Sequence, residues 1–180
     1  LEIFGFKINH YDHQVTYDGL PTKKKLEMLS KEKNFPEKLH QLTNDMKQQF
    51  TIDMVNLNCK PTFYHEYALS KFKKEGYQIA VCSNSIRSTV TLMMEKSGLS
   101  KYLNFYLSNE DVKKAKPDPE IYTKAIEKLG LSPSECLIIE DNEHGLQAAT
   151  ASGAHILKVA NPNGVTYDTI KTRIKEIESE

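Results

Sequence analysis

Two nearly all-apolar runs, residues 77–83 (YQIAVCS) and 136–141 (CLIIED), constrain the fold more than any other feature of the sequence. Each run has the length of a β-strand, and strands without polar alternation are typical of sheets that are covered on both faces. From Pro61 onward such runs alternate with amphipathic segments of about 10–15 residues, a pattern typical of βα units. The sequence therefore predicts an α/β fold with a doubly wound parallel sheet.

The remaining elements follow from the same periodicities. We expect strands at 77–83, 104–108, 136–141 and 155–159, and helices at 62–75, 86–97, 119–129 and 143–152. Residues up to 58 carry helix signals and no convincing strand, with Pro21 and Pro36 placed where helices begin. We therefore predict a helical domain at 1–58 and an α/β domain at 59–180.

Charge and cysteine content narrow the function classes. Lys and Arg number 24 and Asp and Glu number 24, so bulk charge gives no support for binding to nucleic acid or to an anionic membrane. No apolar run approaches the roughly 20 residues of a membrane-spanning helix. Cys59, Cys82 and Cys136 are odd in number and lack paired metal-ligand spacing, which favours free thiols in a reducing compartment such as the cytoplasm.

The chemistry of such a sheet is expected just after its strands, because ligands bind beyond the carboxyl ends of parallel strands. Ser83, Asn84 and Ser85 follow the first strand, where a hydroxyl and free backbone N–H groups would cradle an anion. A serine that merely caps the next helix explains the same residues equally well.

A carboxylate pair and a lysine provide two further candidates. Glu140 and Asp141 end an apolar strand, where hard oxygen ligands suit Mg²⁺, although a turn with an acidic helix cap is the alternative. Lys116 precedes a helix start formed by Asp118 and Pro119, and it is either a phosphate-binding cation on a rigid loop or a surface lysine.

Taken in order, three segments resemble the haloacid dehalogenase superfamily. They are residues 79–85 (IAVCSNS), 114–131 (KAKPDPEIYTKAIEKLGL) and 136–154 (CLIIEDNEHGLQAATASGA). Within that superfamily, the sequence is most similar to the capped subgroup that contains β-phosphoglucomutase and phosphoglycolate phosphatase. The resemblance runs from about residue 61 to residue 159, and the all-helical stretch before residue 58 is similar to the helical cap of that subgroup.

The resemblance implies a role for each candidate. Ser83, with Asn84, would bind the phosphoryl oxygens, Lys116 would neutralise phosphate and nucleophile charge, and Glu140 with Asp141 would bind Mg²⁺. The implied activity is a magnesium-dependent phosphatase acting on a small phosphorylated metabolite such as a sugar phosphate. A phosphomutase of similar build and a non-catalytic domain that binds a phosphorylated ligand or a partner protein stay open. Thr22 stands where mutase-like caps have an arginine, which favours the phosphatase.

The family's first motif, an apolar strand followed by Asp-x-Asp, is not found in this chain. The one lookalike, residues 16–20 (TYDGL), has Thr16 at the nucleophile position and follows a polar stretch, so we interpret it as a cap loop. We expect that the nucleophile segment lies upstream and was truncated or omitted, with a naturally shortened, non-catalytic relative as the alternative. Because an aspartyl-phosphate route needs that carboxylate, we predict that this chain alone is inactive.

Overall fold

The computed structural model describes residues 1–9, 16, 17 and 19–179 of the chain. The first third is helical, with a short 3-10 helix at Glu2–Phe4 and two α-helices, α1 (Thr22–Lys33) and α2 (His40–Asn58). The described residues before Ala80 contain no strand. The helical character that the sequence predicts for this segment is therefore observed, while its standing as a separate domain bounded at residue 58 stays a prediction.

The small core of this segment forms around α1. Leu26 and Leu29 lie on one face of the helix and are buried against Tyr17 and Phe35. Asn34 ends the helix in the left-handed conformation with φ 54°, which asparagine adopts more readily than most residues. The chain can therefore reverse direction and return Phe35 onto the helix that it has just left.

The second helix is less covered than its sequence pattern suggests. Leu42 and Phe50, which are spaced as an amphipathic face, are 50% and 66% exposed, whereas Val55 is buried. The helix α2 instead packs on a helix of the α/β part, where Gln48 accepts a hydrogen bond from the Thr89 hydroxyl at 3.5 Å. The apolar periodicity of α2 therefore does not identify the face that is buried.

From residue 63 onward, helices and strands alternate as the sequence predicts. In chain order the elements are α3 (Phe63–Lys74), β1 (Ala80–Cys82), α4 (Arg87–Lys96), β2 (Phe105–Leu107), α5 (Glu120–Leu129), β3 (Leu137–Glu140), α6 (Glu143–Ser152), β4 (His155–Lys158) and α7 (Tyr167–Ser179). None of the helices in the described ranges combines the length and the apolarity needed to cross a bilayer.

The four strands form two parallel pairs. In the first pair Val81 lies opposite Tyr106, and in the second Ile138 lies opposite Ile156. Among the described residues, β1 and β3 are not hydrogen-bonded to each other. The strand predicted at 77–83 is shorter in the structure, Ala80–Cys82, and these three residues are the ones that pair with β2.

A groove of about 660 Å³ lies between the two strand pairs. Both β1 and β3 line it along their length, from Ile79 and Leu137 to Cys82 and Glu140. The carboxyl ends of both strands meet Lys116, whose ammonium contacts the Cys82 carbonyl and the Glu140 carboxylate. The strands therefore run in the same direction on either side of an apolar groove.

Helices cover the sheet and fix its edges. Ile121 and Ala125 of α5 are buried with Ala148 and Ala149 of α6 in one apolar cluster. Small alanines let α6 approach α5 closely, which gives the dense packing on which core stability depends. A second cluster joins α3 and α7 on the other side of β3, so the strand ends that carry polar residues are held by helices on both faces.

Candidate functional site

A cleft of about 500 Å³ lies at the carboxyl ends of the strands. The five residues that the sequence singles out, namely Ser83, Asn84, Lys116, Glu140 and Asp141, all line it. Residues 19–23 and Lys25, together with the 44–48 part of α2, line the opposite side. Side chains that lie up to 58 positions apart in the sequence are therefore brought to one site, between the helical segment and the sheet.

Lys116 occupies the centre of the site. The residue is only 8% exposed, and its ammonium donates to the Cys82 carbonyl at 3.0 Å and to Oε1 of Glu140. The ammonium also lies 4.6 Å from the centre of the Tyr122 ring. The structure therefore rules out the surface-lysine interpretation, because this side chain is buried and paired.

The loop that carries Lys116 is held by two neighbouring side chains. The Asn84 amide accepts from the Lys116 backbone N–H at 3.0 Å and donates to its carbonyl at 3.2 Å. Glu120 accepts from the backbone N–H groups of Lys113 and Lys114. Hydrogen bonds to a charged carboxylate are among the stronger ones in proteins, so the loop is fixed from both sides.

The start of α5 differs slightly from the sequence expectation. We expected Asp118 at the N-cap and Pro119 as the first helical residue. The helix begins at Glu120 instead, and Asp118 Oδ1 accepts from the Glu120 backbone N–H at 3.0 Å. The capping interaction is thus present, with the helix boundary shifted by one residue.

Ser83 and Asn84 combine the two interpretations that the sequence left open. The Ser83 hydroxyl accepts from the Ser85 backbone N–H at 3.1 Å, so it caps the turn and keeps its own proton available to donate. The Asn84 side chain also donates to the Gly19 carbonyl at 2.8 Å, in addition to its bonds with Lys116. Because the Asn84 amide is occupied in this way, its predicted contact with phosphate falls to its backbone N–H.

The Glu140 carboxylate is fixed by a residue that the sequence analysis missed. The Tyr122 hydroxyl donates to Oε1 of Glu140, the same oxygen that the Lys116 ammonium contacts. Burial, and then the nearby charge of Glu140, raises the pKa of the Tyr122 phenol, which keeps it a hydrogen-bond donor. The available signal was a tyrosine on the buried face of an amphipathic helix, since a buried phenol requires a polar partner.

Two glycines allow the close approaches around this site. A Cβ on Gly145 would lie 2.2 Å from the Glu140 carboxylate carbon, so only glycine leaves room for that side chain. A Cβ on Gly19 would lie 2.3 Å from Oδ1 of Asn142, and Gly19 also has φ +74°. Asn142 caps α6 through the His144 backbone N–H, so the segment before α1 rests directly on the end of α6.

Two carboxylates of the site are available as ligands for a magnesium ion. Asp141 is exposed in the cleft, and Glu140 has one oxygen outside its contacts with Lys116 and Tyr122. Within the described ranges, no three or more His, Cys, Asp or Glu side chains form a metal-binding group. Since Mg²⁺ often binds one or two carboxylates and completes its shell with water and substrate phosphate, these two residues fit such an ion.

Of the described residues of the lookalike motif, Gly19 and Leu20 line the cleft, whereas the described histidines do not. His40 is hydrogen-bonded to the Ser30 hydroxyl, and His65 to the carbonyl of Pro162. His10, His13 and Asp18 lie outside the described residues. Tyr17 of the lookalike motif is buried in the core of the helical segment and donates to Glu32.

The cysteines are free thiols, as expected. Cys59, Cys82 and Cys136 are partly buried and form no disulfide. Burial raises the pKa of the Cys82 thiol to about 12, so this group, which lines the cleft beside Lys116, is a neutral thiol.

Comparison with known proteins identifies sequence relatives. The model of the haloacid dehalogenase-like hydrolase family matches residues 1–159. A haloacid dehalogenase-like hydrolase domain-containing protein of Arabidopsis thaliana is 43% identical over 88 residues, which are 47% of this chain and 28% of that protein. Pyrophosphatase PpaX of Bacillus velezensis is 34% identical over 92 residues, which are 51% of this chain and 43% of that protein. The matched part of the chain thus spans less than half the length of these two relatives.

Solved structures share the fold over almost the whole chain. A β-phosphoglucomutase from Clostridium difficile superimposes with a TM-score of 0.82 at 18% identity, covering 99% of this chain and 87% of that one. A haloacid dehalogenase hydrolase from Entamoeba histolytica gives a TM-score of 0.78 at 21% identity, covering 98% and 87% of the two chains. These likenesses confirm the predicted fold class, a Rossmann-like α/β domain with a helical cap.

Proposed function

Because this chain belongs to the haloacid dehalogenase-like hydrolase family, we propose that the protein it represents is a magnesium-dependent phosphatase of a small phosphorylated metabolite, such as a sugar phosphate. The observation that carries the proposal is the convergence of Ser83, Lys116 and Asp141 on one cleft. A hydroxyl donor, a buried ammonium and an exposed carboxylate are the groups needed to hold a phosphoryl group and a divalent cation. The name of the PpaX relative also supports phosphate hydrolysis in general.

In this proposal each side chain acts on a stated atom. The Ser83 hydroxyl and the Asn84 backbone N–H donate to phosphoryl oxygens, and the Lys116 ammonium balances the charge that develops during transfer. Asp141 and Oε2 of Glu140, which otherwise accepts only a long hydrogen bond of 3.5 Å from the Asn142 backbone N–H among the described residues, hold the cation. When it is bound, Mg²⁺ supplies further charge neutralisation at the phosphoryl group.

The nucleophile is the part of the mechanism that this chain does not supply. Transfer through a phosphoenzyme needs one carboxylate in line with phosphorus and a second to protonate the leaving oxygen. Glu140 is paired with Lys116, and Asp141 is assigned to the cation. We propose that an apolar strand ending in Asp-x-Asp occupies the groove between β1 and β3, since the groove opens at Cys82 and Glu140 beside the cleft.

Two alternative functions, a phosphomutase and a non-catalytic binding domain, predict different results in an activity assay. A phosphomutase would return the phosphoryl group to another position of a sugar, and Thr22, which lines the cleft, lacks the charge of the arginine found in mutase-like caps. A non-catalytic relative would bind phosphorylated ligands without turnover.

The three free cysteines suit a reducing compartment, so we place the protein in the cytoplasm as part of this proposal.

Phosphate release from a panel of phosphorylated metabolites tests the proposal. We expect no magnesium-dependent release above background from the 180-residue chain, and release after an apolar strand ending in Asp-x-Asp is added upstream. In that extended protein, Asp141→Asn should abolish the magnesium-dependent release of phosphate, whereas Asp168→Asn on α7 should not. Robust release by the 180-residue chain, or unchanged magnesium dependence after Asp141→Asn, would contradict the assignment.

A further inference from the structure

The described residues of the helical segment contribute only positive charge to the cleft. Lys23 and Lys25 of α1 and Lys47 of α2 line it, opposite Lys116 in the core. The carboxylates among the described lining residues, Glu140 and Asp141, both come from the core. In the described part of the cleft, the cap side therefore carries positive charge alone, whereas the core side carries charges of both signs.

The placement of these lysines is specific rather than a general property of a basic helix. Lys24 lies between two of them in sequence and does not line the cleft. Asn44 precedes Lys47 by three residues and Gln48 by four, so the three lie on adjoining parts of the α2 surface, and all three line the cleft. Neither Lys23 nor Lys47 forms an ion pair with a residue in the described part of the chain. Partial burial also lowers the pKa of Lys47.

A bound phosphoryl group alone does not account for the position of these lysines on the cap side of the cleft. In the proposed complex, Ser83, Lys116 and the cation hold the phosphoryl group on the core side of the cleft, where Glu140, Asp141 and the proposed Asp-x-Asp carboxylates also lie. Lys23 and Lys47 line the cap side of the cleft instead, where a phosphoryl group held by the core does not explain their charge. A cleft of about 500 Å³ is in the range of small-ligand sites, so the leaving group of a bound ester has room to reach them.

We propose that the cap selects phosphate esters or anhydrides whose leaving group carries a negative charge of its own, a second phosphate or a carboxylate. Lys47 and Lys23 contact that second anion, while Ser83 and Lys116 hold the phosphoryl group that is transferred. The proposal rests on the phosphohydrolase function above and narrows its substrate class.

Isothermal titration of the 180-residue chain with magnesium present tests it. The probes are inorganic pyrophosphate, phosphoglycolate, glycerol phosphate, whose leaving group is neutral, and inorganic phosphate. We expect pyrophosphate or phosphoglycolate to bind roughly tenfold or more tightly than glycerol phosphate, as one or two charge-assisted contacts would give. Whichever of the two binds more tightly identifies the second anion as phosphate or carboxylate.

Matched variants locate the effect. Lys47→Ala and Lys23→Ala should each reduce the preference for the doubly anionic probe several-fold, and Lys47→Glu should abolish it. Lys24→Ala, in the same basic run but outside the cleft, should keep the preference. Circular dichroism checks that each variant is folded.

The outcomes separate this proposal from the one on which it rests. Equal affinity for pyrophosphate, phosphoglycolate and glycerol phosphate, or a preference that survives Lys47→Glu, would overturn the cap inference and leave the phosphatase intact. Failure of all four probes to bind would count against the phosphate site itself, and the cap inference would fall with it.

Discussion

Replacing Lys116 with alanine should destabilise the protein as well as disable its site. The side chains of Lys116 and Glu140 are only 9% and 10% exposed, so the substitution leaves a carboxylate buried without its counter-ion. Breaking a buried ion pair by removing one partner costs about 3–5 kcal/mol, whereas an exposed pair contributes about 0–1 kcal/mol. We therefore expect the free energy of unfolding to fall by about 3–5 kcal/mol.

A second substitution tests the cause of that loss. Glu140→Gln in the Lys116→Ala background removes the stranded charge and keeps an oxygen that accepts from Tyr122. The residual cost is then that of an incompletely paired polar group, about 1–3 kcal/mol. The double variant should therefore be more stable than the single variant, a recovery that a simple loss of packing would not produce.

Urea unfolding followed by circular dichroism measures these differences, provided that the slope with denaturant is unchanged. Lys101→Ala is the matched control, because Lys101 and Glu66 form an ion pair whose side chains are 60% and 31% exposed. That variant should lose far less stability than Lys116→Ala, because solvent screens an exposed ion pair. If Lys116→Ala is no less stable than the control, or if Glu140→Gln fails to recover stability, the buried-pair argument is wrong.

Three further substitutions test other contacts of the site by urea unfolding. Tyr122→Phe should cost about 1.5–3 kcal/mol, because it removes a hydrogen bond to a buried charge, and should exceed Tyr106→Phe, which removes a neutral hydroxyl pair; equal losses would refute this difference. Gly19→Ala should be more destabilising than Gly5→Ala, since both have positive φ but only the first places a Cβ against a neighbour, at 2.3 Å; similar losses would show that the close approach is relieved cheaply. Hydrogen bonds to the Glu120 carboxylate, of which the one from Lys124 has the largest effect, lower its pKa from 4.5 to about 2. The contribution of Glu120 to stability is therefore complete above pH 4.5 and is lost as the pH falls toward 2. Glu120→Gln should therefore flatten the stability profile between those values, and an unchanged profile would contradict the assignment.

The sequence was sufficient for features that depend on local periodicity. Apolar runs and the amphipathic segments between them located four strands and the intervening helices, and the rule that ligands lie beyond strand ends pointed to Ser83 and Asp141. Both residues line the cleft in the structure. Features of this kind can be predicted because each depends on a short window of residues and on the parallel direction of the strands.

Contacts between distant segments could not be predicted in the same way. Nothing near Tyr122 in the sequence indicates that its hydroxyl reaches Glu140, 18 positions away. Asn84 was predicted to bind phosphate, but nothing in the sequence indicated that its side-chain amide bridges Gly19 and the Lys116 loop. The exposure of the apolar face of α2, where Phe50 is 66% exposed, could not be predicted because apolar spacing does not say which helix a face will contact. These properties are set by how the segments pack together.

The groove links the stability of the sheet to its chemistry. At its carboxyl end, the two strand pairs are joined through Lys116, which contacts a carbonyl of β1 and a carboxylate of β3. An extended segment in the groove could pair with the backbone edges of both strands and bury apolar side chains against α5 and α7. If it ran parallel to β1 and β3, its last residues would emerge beside Lys116 and Ser83. The segment that completes the sheet would then also deliver the missing carboxylate, so we expect stability and phosphatase activity to be gained together when such a strand is supplied.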